Sequence, residues 1–308
     1  MVQTDSINGL KKILIICGAT ASGKTELAVK CAKALYSEVI SADSMNVYKG
    51  LNIGTAKPTE EEKDGVKHHL IDVCEPTANF SVGDYREKSA PIIKDLTEKN
   101  KIPVICGGTG FYINSLIYKM SYGKVSADYK TREKYKQLAE EKGNLYVYDI
   151  LKEKDASAAE KLHYNDLKRV IRALEIAENG NKKSDIIDDK TPLYDYKAFM
   201  IGVPRDVLYK KIDERVDKMI KNGLIDEVNN LVSQGITDKN QCMQGIGYKE
   251  IYAYLIGKID KETAIKQIKL NTRHYAKRQI TFFSRQIETV KLPFDTAEEN
   301  SKRILTYL

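Results

Sequence analysis

The stretch "GATASGKT", residues 18–25, constrains this chain more than any other. It follows the apolar run "ILIIC" and precedes "ELAVKCAKAL", which reads as helix. A glycine-rich turn between a strand and a helix N-terminus converges backbone N–H groups on one point. With G-x-x-x-x-G-K-T spacing that point is a phosphate. Gly18, Ala19, Thr20, Ala21, Ser22 and Gly23 are therefore expected to cradle phosphate oxygens. Lys24 adds an ammonium to the cradle, and Thr25 supplies a hydroxyl to it and to a magnesium ion. The spacing does not say whose phosphate is held.

Such a loop needs a sheet behind it. Residues 11–117 alternate strand-like runs ("KILIIC", "EVISAD", "HHLIDV", "IPVICGG") with helical stretches at 25–35 and 85–98, the βα rhythm of a parallel sheet. From 118 to 196 the sequence turns long, charged and helix-favouring, with "KTREKYKQLAEEKG" and "NDLKRVIRALEIAENG" as its clearest elements. "KAFMIGVP" reads as one further core strand, and the remainder as helical, punctuated by Pro204 and Gly223. The expected architecture is α/β, a P-loop-type parallel sheet flanked by helices, with a helical insertion domain and a helical C-terminal part. Residues 10–117 and 197–308 form its core, and 118–196 the insertion. "NGNKKSDIIDDKTP", 179–192, is the candidate mobile loop.

Composition excludes several classes. At 308 residues, 42% hydrophobic and 30% charged, the chain suits a globular protein with a sizeable core. No apolar run approaches the roughly 20 residues of a membrane span, and "MVQTDSINGLKK" lacks a signal-peptide apolar region, so a cytoplasmic location without a membrane partner is expected. Cys17, Cys31, Cys74, Cys106 and Cys242 stand far apart without zinc-ligand spacing and read as reduced core thiols. The formal charge of +7 is concentrated: between Lys261 and Arg285 there are seven basic residues against one acid, Glu262. A basic stripe on one element is the footprint of a polyanion, which makes nucleic acid a candidate partner. The other reading is a solvated face opposite a buried stripe containing Ile265, Ile268 and Leu270.

Asp43 ends the second strand-like run. In an open α/β sheet it would share a crevice with the phosphate loop, as magnesium ligand, proton acceptor or helix N-cap. In "ICGGTGFYI" the strand end carries Cys106, Gly107 and Gly108 where loop-class nucleotide hydrolases place a magnesium-binding acid. Gly107, Gly108 and Gly110 would let backbone approach a ligand, and Thr109 offers a hydroxyl. "NKKS" at 181–184 lacks the aspartate of a guanine-reading pattern, which argues against a GTPase.

"GATASGKT", "VISADSMNVYKGLNIGTAKP", "HHLID", "GGTGFYI", "KRVIRALE", "IGYKE" and "TRHYAKRQ" stand in the order seen in tRNA dimethylallyltransferases, and the chain resembles that family over nearly its whole length. It departs at Ala19, where the family usually has Pro, and at Asn46, where Gln is common. Tyr164 replaces a common Pro, and "TFFSR" stands where "TWFRR" is typical. Asn46 shortens an amide expected to touch the base. Ser284 removes one positive charge.

The resemblance implies an enzyme that moves a dimethylallyl group from dimethylallyl diphosphate to the exocyclic amine of the adenosine 3′-adjacent to the anticodon. The loop then holds the donor's diphosphate, with Mg2+. Lys24, Thr20 and Asp43 are the expected catalytic residues: the first two stabilise the departing charge, and Asp43 takes the amine proton. A base in a stacked anticodon loop must be flipped out, and Asp43, Ser44, Met45 and Asn46, with Thr109, are placed to read it. Contacts to the tRNA anticodon stem-loop fall to Lys168, Arg169, Val170, Ile171 and Arg172, to Arg132, and to Lys269, Arg273, Lys277 and Arg278. His68 and His69 read as fixing loop geometry rather than holding a metal. A monomer is expected. The rival readings are an ATP-using small-molecule kinase of the same loop class, an adenylate isopentenyltransferase acting on AMP or ADP, and a non-enzymatic RNA-binding module. The first two leave the basic helix idle. The third leaves Lys24, Thr25 and Asp43 unexplained.

Overall fold

Ile13, Leu14, Ile15, Ile16 and Cys17 are all fully buried, the pattern of a strand covered on both faces, as parallel sheets require. In the computed structural model, which describes residues 9–119, 128–185 and 189–308, six strands form one sheet. They are β1 (Lys12–Cys17), β2 (Val39–Ser41), β3 (His68–His69), β4 (Val104–Gly107), β5 (Asp195–Ile201) and β6 (Val290–Leu292). Their order is β3-β2-β4-β1-β5-β6, with every pairing parallel. Cys17 pairs with Gly107 and Ser41 with Cys106, so β1, β2 and β4 end level, and the loops that follow them open on one edge.

The β-branched and leucine side chains of β1 and β4 pack on the helix Lys24–Ala34 through Leu27, Ala28 and Cys31. The helix Ala297–Leu305 lies along it, and the Cys31 thiol meets the Ser301 hydroxyl at 3.6 Å. All five cysteines are free. Among the described residues no helix is long and apolar enough to cross a membrane.

Three elements differ from expectation. Only His68 and His69 of "HHLIDV" pair, because Leu70 (φ 60°) and Asp72 (φ 56°) turn the chain away from the sheet. The C-terminal part is not wholly helical: β6 adds an edge to β5, and three residues are too few for a period-2 signal. The strand expected at "KAFMIGVP" begins earlier, at Asp195, and just before it Leu193 N–H donates to Ile117 O at 2.8 Å. The polar, tyrosine-rich "PLYDY" hid that strand start.

The chain divides into two compact units, Met1–Ile117 with Pro192–Leu308, and Tyr118–Thr191. The second is built from the helices Tyr129–Lys142, Asn144–Lys154 and Leu167–Glu178 around Tyr135, Val147, Leu151, Val170 and Leu174. Of the loop expected at 179–192, residues 186–188 lie outside the described residues. Within it, Ser184 N–H donates to the Asp155 carboxylate at 3.0 Å.

Candidate active site

The loop after β1 folds back through three left-handed residues, Gly18 (φ 128°), Ala21 (φ 61°) and Gly23 (φ 89°). Ala21 carries a Cβ, so its conformation costs about 1 kcal/mol, the kind of strain that functional loops retain. The Ser22 hydroxyl donates to Ala19 O at 2.8 Å and pins the turn. Gly23 is the N-cap of the helix Lys24–Ala34 and brings no capping side chain, which leaves the positive end of the helix turned to the loop. The Lys24 ammonium curls over the loop and donates to Ala19 O. Burial pulls its pKa below the ordinary lysine value, because a cation inside the protein loses hydration.

After β2 the chain is held by β4 and its loop. Ala42 N–H donates to Cys106 O at 2.7 Å, and Thr109 N–H to Ala42 O at 3.0 Å. The Thr109 hydroxyl accepts from Ser44 N–H at 3.0 Å. Asp43 Oδ1 accepts from Met45 N–H at 2.8 Å, an Asx turn that fixes the carboxylate. Residues 44–47 are turns, so Asp43 caps no helix.

One cavity of about 500 Å³ joins these loops. It is lined by Thr20, Lys24 and Thr25, by Asp43, Ser44, Met45 and Asn46, and by Arg278 at the far side. Gly18, Ala19, Ala21, Ser22 and Gly23 shape the loop without lining the cavity, and Thr109 stands behind Ser44. Ile212, Val216, Met219 and Ile268 supply an apolar wall. Gly54, Thr55 and Ala56, which also line the cavity, are held from outside. Glu227 accepts from the N–H groups of Asn52, Ile53 and Gly54 at 2.7–3.1 Å and from the Tyr248 hydroxyl at 2.6 Å.

Three lining residues received no role from the sequence, although Tyr275 and Gln279 stand in "TRHYAKRQ". Arg215 reaches Thr55 O at 3.3 Å, and burial lowers its pKa while Asp43 opposes that shift. Tyr275 is pushed up to about 12 by burial and stays a neutral phenol. Gln279 accepts from Thr20 N–H at 2.8 Å and donates to Gly108 O at 2.9 Å. A glutamine in the buried stripe Ala264, Ile268, Ala276, Gln279 and Phe283 is the clue the helix offered. Leu270, expected in that stripe, is 50% exposed. The glycines of the β4 loop also serve the protein's own packing: a Cβ on Gly108 would stand 2.0 Å from Gln279 Nε2, and one on Gly110 2.2 Å from the Phe282 ring, while Gly107 and Gly108 line the cavity. Cys106, beside Lys24, is held to about 12 by burial and remains a thiol.

The other expected contact residues divide. Lys269 pairs with Asp217 at 2.6 Å and Arg273 with Asp213, whereas Lys277 is exposed with no ion pair among the described residues. In the insertion, Lys168 and Arg169 are exposed. Val170 and Ile171 are buried in its core, which corrects their assignment to tRNA: the amphipathic period of the helix turns them inward between the two arginines. Arg132 and Arg172 both bond the buried carboxylate of Glu175. His69 bonds Glu38 at 2.6 Å and His68 bonds Val66 O at 2.9 Å, both fixing local geometry.

No group of three or more His, Cys, Asp or Glu among the described residues would hold a metal by itself. The oxygen donors that line the cavity, Thr25 and Asp43 among them, fit a magnesium ion carried mainly by a substrate's own phosphates, as Mg2+ prefers.

Residues 46–286 match the family model described as IPP transferase. A tRNA dimethylallyltransferase of Caldanaerobacter subterraneus subsp. tengcongensis is 47% identical, covering 96% of this chain and 97% of its own. One from Acetivibrio thermocellus is 44% identical over 97% and 98%. The solved tRNA isopentenylpyrophosphate transferase of Bacillus halodurans is 40% identical, with a TM-score of 0.71 over 96% of this chain and 95% of its own. A eukaryotic dimethylallyltransferase acting on tRNA is 30% identical, with a TM-score of 0.76 over 91% and 74%.

Proposed function

This chain belongs to the IPP transferase family, and from that premise we propose that it transfers a dimethylallyl group from dimethylallyl diphosphate to tRNA. The acceptor is the exocyclic amine of the adenosine 3′-adjacent to the anticodon, and diphosphate is released. The observation that carries this reading is the cavity itself. It brings Thr20, Lys24 and Thr25, the apolar side chains of Ile212, Val216, Met219 and Ile268, and the Asp43 carboxylate around one space, which supports this reading.

The allylic C–O bond breaks, an N–C bond forms, and the amine proton goes to Asp43. Leaving-group charge develops on the diphosphate, which Lys24 and the Thr20 and Thr25 side chains that line the cavity would meet. A bound magnesium ion, met by Thr25, would neutralise part of that charge. Ile212, Val216, Met219 and Ile268 exclude water from the allylic carbon, which would otherwise be captured as an alcohol. An adenine amine is a weak nucleophile, so its placement against that carbon contributes as much as proton removal. Arg278 sits at the cavity's rim and Lys277 beside it on the exposed face, which suits a polyanion entering from that helix. We place the reaction in the cytoplasm and the enzyme as a monomer.

The test is incubation with dimethylallyl diphosphate plus tRNA, dimethylallyl diphosphate plus AMP, and ATP plus small metabolites. Prenylation of tRNA alone is expected. Prenylation of AMP at a comparable rate, or phosphoryl transfer from ATP, would replace the proposal.

A further inference from the structure

We propose that Gln279 is a positioning residue that sets the diphosphate loop in register with the loop carrying Asp43. This rests on the transferase reading above. Gln279 is 5% exposed, and both ends of its amide are committed: Oε1 accepts from Thr20 N–H at 2.8 Å, and Nε2 donates to Gly108 O at 2.9 Å. Thr20 belongs to the loop after β1. Gly108 precedes Thr109, whose backbone N–H bonds Ala42 and whose hydroxyl accepts from Ser44, the two neighbours of Asp43. A single side chain thus links the cradle of the leaving group to the segment that holds the proton acceptor.

Several features make the link specific. Thr20 N–H is a loop amide taken by protein, so the direction of the neighbouring loop amides and of the helix N-terminus, which would meet the anion, depends on where Thr20 is held. Gly108 has no Cβ, and one there would collide with Gln279 Nε2 at 2.0 Å, so the close approach is built in from both sides. Tyr275, one turn earlier on the helix Lys261–Gln286, lines the same cavity beside Gln279. An amide is the one common side chain of this length that accepts and donates at once in a neutral state. Glutamate accepts from Thr20 but, when ionised, repels Gly108 O. Methionine fills the space and does neither.

The inference is tested with Gln279→Met and Gln279→Glu in the full chain, alongside wild type. The measurements are kcat and KM for dimethylallyl diphosphate, inorganic pyrophosphate affinity, tRNA affinity and Tm. Gln279→Met is expected to lose about 10²-fold in kcat/KM for the donor, the size of a misplacement of about 1 Å, with tRNA affinity within about twofold of wild type. Gln279→Glu adds a readout that a merely structural residue would not move. A buried carboxyl beside an anion site has a raised pKa, and only its protonated form donates to Gly108 O. Its activity relative to wild type should therefore rise as pH falls from about 8 to about 6. A folded Gln279→Met with wild-type kcat and pyrophosphate affinity overturns the inference. So does a Gln279→Glu to wild-type activity ratio that is flat with pH, which decides the matter if Gln279→Met does not fold. Absence of tRNA prenylation by the wild type defeats the transferase reading instead.

Discussion

The Arg132 guanidinium lies in a bidentate pair with the Glu175 carboxylate, Nε to Oε1 and Nη2 to Oε2 both 3.0 Å, and Arg172 bonds Oε2 from the other side. Glu175 is fully buried, which by itself pushes its pKa up. The bonds from Arg132 and Arg172 outweigh that and hold the carboxyl below its ordinary range. Arg132 therefore folds the insertion, whatever else it touches. Removing one partner of a buried pair costs about 3–5 kcal/mol, and with Arg172 still in place about half of that is expected for Arg132→Ala. A folded pKa below the unfolded one contributes stability above about pH 4.3, and that contribution is lost as pH falls through the folded value. Arg132→Ala raises the folded pKa, so amide exchange in the helices Tyr129–Lys142 and Leu167–Glu178 should accelerate at a higher pH than in wild type. An unchanged acid transition would remove the structural role of Arg132.

Asp43→Asn keeps the bond from Met45 N–H, because the amide oxygen still accepts, and so keeps the turn. It removes the proton acceptor. Turnover should fall by about 10² or more with Tm and pyrophosphate affinity unchanged. Near-normal turnover in the folded variant would show that positioning alone suffices.

Burial lowers the pKa of Lys24, whereas it pushes Cys106 and Tyr275 up to about 12. For a base with a lowered folded pKa the charge is present below that value and disappears as pH rises through it. The kcat/KM for dimethylallyl diphosphate, which reports the free enzyme, should therefore decline on the alkaline side ahead of an ordinary lysine. Lys24→Met should be slow at every pH and lack that limb. A wild-type limb that persists in Lys24→Met would assign it to another group.

Lys269 and Arg273 already face Asp217 and Asp213, whereas Lys277 is exposed without an ion pair among the described residues. Lys277→Ala should weaken tRNA binding and reduce the slope of log affinity against log salt by about 1, with donor KM unchanged. Lys269→Ala should change the slope less, because its charge is largely neutralised in the free protein. Arg278→Ala is expected to affect both substrates, since Arg278 lines the cavity. Equal slopes for wild type and Lys277→Ala would move the tRNA path off this helix.

The parts that local chemistry dictates were legible without coordinates. Residues 18–25 spell their own conformation, because glycine at 18 and 23 and a lysine at the helix start are what a loop wrapped on an anion requires. The fully apolar "ILIIC" demands a strand covered on both faces, and once β1, β2 and β4 are parallel, Asp43 must end beside the loop. Side chains whose roles depend on distant partners were not legible. Gln279 meets Thr20 and Gly108 across 259 and 171 residues of chain, Glu227 reaches Asn52, Ile53 and Gly54, and Arg215 reaches Thr55. Each looks like an ordinary polar residue on a helix, since periodicity reports which face is buried and not what a buried polar group bonds. Val170 and Ile171 sat inside a basic motif and Arg132 on a charged face, so their burial and pairing were decided only when the helices of the insertion packed together and Arg132 met Glu175. Hydrogen bonding between groups far apart in sequence belongs to tertiary structure, because a buried donor or acceptor must find a partner wherever the fold brings one.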